Sequence, residues 1–139
     1  MATPALESVP PVVDGATFRQ ETPAGTLRVT INAVDGEPRE VFVLLGRAGS
    51  ETQSFCEGLG RMVSMLLRVP SDLSPAERLA LAAEQLKGIG GANQIGYGDT
   101  LVLSVVDGLG KILAAYPADV RETETKGGPD DHAPEETAS

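Results

Sequence analysis

An α+β domain, an antiparallel β-hairpin in a small sheet packed against about three helices, is what this sequence predicts, and three observations carry it. Leu27, Val29 and Ile31 alternate with Arg28, Thr30 and Asn32, the two-residue period of a half-buried strand. Asp35-Gly36 then marks a turn ahead of a second apolar run, "EVFVLLG". Beyond it, helix-start signals are followed by apolar residues at helical spacing, twice before a glycine-rich stretch and once after it.

Taken in order, residues 1–17 carry Pro4, Pro10 and Pro11 without periodicity and read as an extended N-terminal arm. The first strand lies in "TLRVTINA"; Pro38 blocks strand structure just after the turn, and "EVFVLLG" reads as a partner buried on both faces or nearly so. Gly46 and Gly49 end it. Ser50 and Gln53 have the spacing of a capping box, opening a helix over residues 51–67. Phe55, Leu59, Met62, Val63 and Leu66 form the face expected to pack on the hairpin, and Pro70 stops the helix. Ser74, Pro75 and Glu77 open a second helix with the stripe Leu79, Ala82, Ala83 and Leu86. "TLVLS" is a short strand or extended entry, and Ser104 with Asp107 caps a last helix to about Tyr116, with Val106, Leu109, Ile112 and Leu113 inward. After Pro117 the composition turns acidic and polar, so residues 117–139 are expected to form a disordered tail beside a folded unit over 18–116.

The bulk properties narrow the function classes. With 139 residues one core is expected. The formal charge of −9, with seven acids among residues 117–139, and the lack of any Lys/Arg cluster exclude a nucleic-acid binder and disfavour an anionic membrane surface. The N-terminus does not read as a signal peptide, and no run approaches the roughly 20 apolar residues that span a bilayer, so a cytoplasmic chain is expected. Cys56 is the only cysteine and His132 the only histidine, which leaves neither an intramolecular disulfide nor a multi-thiolate metal site.

The glycine-rich stretch is the one feature with the look of a ligand loop. Gly91 and Gly96 have the spacing that begins a P-loop, but Tyr97-Gly98 stands where that motif has Lys and Ser/Thr. Gly88, Gly90, Gly91, Gly96, Tyr97 and Gly98 are thus candidate ligand contacts through backbone amides, against the plainer reading of a tightly turning connector. Cys56 reads as a small buried hydrophobe, since a nucleophile needs a neighbouring base and His132 lies in the tail. No catalytic residue and no metal ligand set is expected.

Three stretches, "TPAGTLRVTIN…GEPREVFVLLGRAGS", "GLGRMVSMLLRV" and "QLKGIGG…GYGDTLVLSVVDGLGKIL", together resemble the TSCPD domain, over roughly residues 15 to 115. That domain is found at the C-terminal end of many adenosylcobalamin-dependent (class II) ribonucleotide reductases and as small free-standing proteins. Its naming motif falls on Leu103, Ser104, Val105, Val106 and Asp107, of which Ser104 and Asp107 match and Val105 stands at the motif cysteine. The resemblance implies a non-catalytic accessory module in deoxyribonucleotide synthesis. It would bind no cofactor itself and would meet adenosylcobalamin only through a partner reductase. The partner would be the reductase catalytic chain, or a second copy, met through the hairpin edge or the part of helix 51–67 that carries Met62 and Met65. A stand-alone binding module for a small ligand such as a nucleotide, using residues 88–98, is the alternative.

Overall fold

A computed structural model describes residues 5–46, 49–91 and 93–126, with only the backbone described for residues 50 and 117–126. Three antiparallel strands, β1 (Asp14–Thr22), β2 (Gly25–Val34) and β3 (Glu37–Leu45), form a meander in the order β1-β2-β3. The helices α1 (Ser50–Arg68), α2 (Pro75–Leu86) and α3 (Val105–Lys126) follow, giving the α+β arrangement that the sequence predicts. Asp35 and Gly36 both have positive φ, so β2 and β3 are joined by a two-residue turn whose twist suits a hairpin.

Leu27, Val29 and Ile31 of β2 and Val41, Val43 and Leu45 of β3 form one face of the sheet, fully or almost fully buried. Against them pack Cys56, Val63 and Leu67 of α1, Leu79 and Ala83 of α2, and Leu109, Ile112 and Leu113 of α3. β1 adds Phe18, whose ring meets Tyr116 edge-on at 5.9 Å between centroids. The start of α2 is as read from the sequence: Ser74 Oγ accepts from the Glu77 N–H, and Glu77 accepts from the Ser74 N–H.

Several expectations are corrected. The sheet has three strands, because residues 14–17, assigned to the arm, open β1. Phe18 is the one large apolar side chain among Ala16, Phe18, Gln20 and Thr22, the residues β1 turns toward the helices, so the alternation was too weak to read. Pro38 lies inside β3, beside a register shift between Asn32 and Ala33 that spares the strand the missing N–H. β3 is buried on one face only: Phe42 and Leu44 are 55% and 54% exposed on the other. In α1 the N-cap is Gly49 rather than Ser50, which is already the first helical residue. The buried side of α1 is also rotated, with Cys56, Gly60, Val63 and Leu67 inward and Phe55 and Met62 exposed. α3 does not stop near Tyr116 but continues through Pro117 to Lys126, since an internal proline removes one backbone bond and need not end a helix. Of the expected disordered tail, residues 127–139 lie outside the described residues.

Candidate functional site

The glycine-rich loop is tied down by the start of α3. Ser104 Oγ accepts from the Asp107 N–H at 3.0 Å, the expected cap, and donates to the Ile89 carbonyl at 2.6 Å. The Asp107 carboxylate reaches out of the helix: Oδ1 accepts from the Gly88 N–H at 2.8 Å and Oδ2 from the Leu103 N–H at 2.9 Å. Lys111, one turn on, places Nζ 3.0 Å from Oδ2 and also donates to the Leu101 carbonyl. Burial opposes ionisation of Asp107, which is 1% exposed, but the two backbone N–H donors and the Lys111 ammonium outweigh it and hold the pKa below the ordinary value. This negative group sits at the N-terminus of α3, the place a bound anion would take.

The loop's own amides turn inward too. The Gly91 N–H donates to Leu103 O, the Ile95 N–H to Val102 O and the Tyr97 N–H to Thr100 Oγ1. Gly96 has φ +82°, and a Cβ there would lie 2.1 Å from Thr100 O, so this turn requires glycine. Gly88 and Gly98 also have positive φ, at +86° and +53°, while Gly90 and Gly98 have open space where a Cβ would go. Tyr97 projects into solvent, 90% exposed. The six candidate positions therefore share one exposed turn, of which Gly88, Gly91 and Tyr97 have amides engaged within the chain.

A second polar arrangement, not anticipated from the sequence, seals the sheet along β3. Ser64 Oγ accepts from the Val41 N–H at 2.8 Å and donates to the Val41 carbonyl at 3.0 Å. Gln53 does the same with its amide, accepting from the Leu45 N–H at 3.0 Å and donating to the Val43 carbonyl at 3.3 Å. Between them lies Gly60, where a Cβ would stand 3.0 Å from Val41 O, so glycine lets the helix approach the strand this closely. Gln53, Gly60 and Ser64 lie at helical spacing, a legible signal once a helix is known to lie along a strand edge. The β3 edge, one of the surfaces expected to pair with a partner, is closed by these bonds.

Where α1 leans over β3, a groove of about 630 Å³ opens between the helix and the bare face of the sheet. Phe42, Leu44, Met65 and Leu6 supply its apolar surface, and Arg28, Arg61 and Arg68 its cations. A second cleft, of about 600 Å³, is lined by Lys87, Thr100 and Lys111 among others. Hydroxyls that line them are engaged within the fold: Ser64 with both backbone groups of Val41, Thr17 with Thr30, and Thr100 with the Tyr97 carbonyl. Cys56, 2% exposed, faces the core, and burial pushes its thiol pKa up, away from the reactive thiolate. Among the described residues, no group of three or more His, Cys, Asp or Glu is placed to hold a metal ion. Nor is any described helix long and apolar enough to cross a membrane.

No curated protein and no solved structure gives a significant match. The family model of the TSCPD domain, a domain associated with ribonucleotide reductases, matches residues 3–117, most of the chain. Its span takes in all three strands, α1, α2, the glycine-rich turn and the Ser104–Asp107 knot. The chain belongs to the TSCPD domain family.

Proposed function

We propose that this chain is a non-catalytic accessory module of an adenosylcobalamin-dependent ribonucleotide reductase system, acting by protein contact in deoxyribonucleotide synthesis. One observation carries the reading: the division of labour among its side chains. Asp107, Arg78, Gln53, Ser64 and Ser104 are all occupied with backbone groups of the fold. Large apolar side chains meanwhile stand out in solvent: Phe42, Leu44, Phe55, Met62 and Met65. Such a molecule offers contact surface rather than reacting groups. A nucleotide site at residues 88–98 has less support, because the amides of Gly88, Gly91 and Tyr97, three of the six candidate positions, already donate to Asp107, Leu103 and Thr100.

Light scattering and turnover assays with the host's cobalamin-dependent reductase test the proposal. A stable complex, or a change in reductase turnover on adding the chain, is expected. A monomer that neither binds the reductase nor alters its turnover overturns it.

A further inference from the structure

Four rungs cross the bare face of the sheet. Gly15, Asn32 and Glu40 form one, Thr17, Thr30 and Phe42 the next, Arg19, Arg28 and Leu44 the third, and Glu21 with Thr26 the last, where the Thr26 hydroxyl donates to the Glu21 carboxylate. In the third rung two arginines stand directly opposite on adjacent strands, an arrangement that costs stability through like-charge repulsion. Four other described cations have carboxylates: Arg39 pairs with Glu7, Arg61 with Glu57, Lys87 with Glu84 and Lys111 with Asp107, while Arg68 and Arg78 donate to backbone carbonyls. Among the described residues, the guanidinium of neither Arg19 nor Arg28 has a hydrogen-bond or ion-pair partner. Beside them Phe42 and Leu44, both more than half exposed, form the apolar floor of the groove under α1.

The chain's own arm shows what this groove accepts. Leu6 enters one end of it. Its neighbour Glu7 donates its N–H to the Arg68 carbonyl at 2.9 Å, accepts from Arg68 Nε at 2.7 Å on its own carbonyl, and sets its carboxylate on Arg39. An apolar side chain next to an acid, held by backbone bonds, is already docked. The rest of the groove is apolar at Phe42 and Leu44 and cationic at Arg28, its two carboxylates being taken up by neighbours, Glu40 by Asn32 and Glu57 by Arg61, and it has no occupant from the described residues.

We propose that this remaining part receives an acidic-apolar segment of a partner protein, its carboxylates on Arg28 and, just outside the groove on β1, on Arg19, and its apolar side chains on Phe42, Leu44 and Met65. A second copy presenting the same face would bring a second unpaired arginine rung against the first. The chain's own residues 127–139 are acidic but contain no large apolar side chain to cover Phe42. An acidic-apolar segment from another protein satisfies both halves of the surface. The inference rests on the contact reading proposed above and names the surface that makes the contact.

The probe is a blocked synthetic peptide of alternating leucine and glutamate, titrated into the full chain and followed by backbone amide shifts. A peptide with lysine in place of glutamate serves as control. Saturable shifts centred on Arg28, Thr30, Phe42 and Leu44 are expected with the acidic peptide alone, weakening as salt is raised. Arg28→Glu and Phe42→Ser, both exposed positions, should each reduce affinity about tenfold or more, with helix amides unshifted. Equal shifts with both peptides, or shifts indifferent to Arg28→Glu, overturn the proposal. The same amides shifting with chain concentration alone would assign the face to a second copy and overturn it as well. So would shifts at these amides on removing residues 127–139, which would assign the face to the chain's own terminus. The two readings fail separately. Reductase binding that survives both substitutions removes the groove and leaves the contact reading. Peptide binding without reductase binding supports the groove and removes the reductase.

Discussion

Replacing Asp107 with asparagine exchanges one carboxylate oxygen for an NH2 group and leaves the shape of the side chain unchanged. The two oxygens now accept from the Gly88 and Leu103 amides and from Lys111 Nζ. In either orientation, asparagine aims a donor at one of those amides, so one buried N–H loses its partner and Lys111 loses its counter-charge. A hydrogen bond to a charged group contributes about 1.5–3 kcal/mol, and a buried unpaired group costs a similar amount, so about 3 kcal/mol is expected in all. For a domain of this size about 4 °C follows each kcal/mol, which puts the thermal midpoint about 12 °C lower. Circular dichroism melts at neutral pH measure it. The pH dependence tests the cause. Because the folded pKa of Asp107 is depressed, its contribution is complete above the unfolded value of about 3.9 and is lost as pH falls through the folded one. The gap between wild type and variant should therefore narrow in acid. A midpoint within about 3 °C of wild type at neutral pH, or a gap unchanged down to about pH 2, would refute the assignment of this carboxylate as the tie between loop and helix.

Arg78, buried on α2, donates to the carbonyls of Leu66, Val69 and Leu73 at the end of α1 and just beyond it. Arg78→Met should cost about 3 kcal/mol in urea denaturation, and Arg78→Lys should recover part of it, because a guanidinium's fork serves several acceptors at once. Ser64→Ala frees both backbone groups of Val41 and should cost about 1–2 kcal/mol, with turbidity on heating that the wild type lacks, as the β3 edge is unsealed. Cys56 should react with a thiol reagent only after denaturation, since it is buried and its thiol pKa is raised; rapid modification of the native chain would mean α1 sits differently on the sheet.

Local signals were legible and long-range ones were not. Ser74, Pro75 and Glu77 lie within four positions of one another, and the start of α2 follows directly from them. The Ser104–Asp107 cap was legible for the same reason, but the carboxylate's second partner, Gly88, is brought to it only by folding. In α1 the hydrophobic residues suggested a face that the structure leaves partly exposed. A helix lying along a strand edge is oriented by what meets the strand's free N–H and C=O groups, here Gln53, Gly60 and Ser64, and a pattern of apolar residues passes over two polar side chains and a glycine. β1 escaped notice because its inward residues are mostly small or polar. The glycine-rich turn was placed correctly as an element, while the inward use of its amides depends on Leu103, Val102 and Thr100 folding back on it.

The closure of β3 by side chains gives the sheet a direction of growth. A further strand cannot be added beyond β3 without first dislodging α1 from Gln53 and Ser64, which would uncover Cys56, Val63 and Leu67. Any chain that extends this sheet, whether fused to the domain or supplied in trans, has to join along Asp14–Thr22. Insertions in a larger protein built around this unit should therefore collect beside β1, while the segment from Leu45 into α1 stays short.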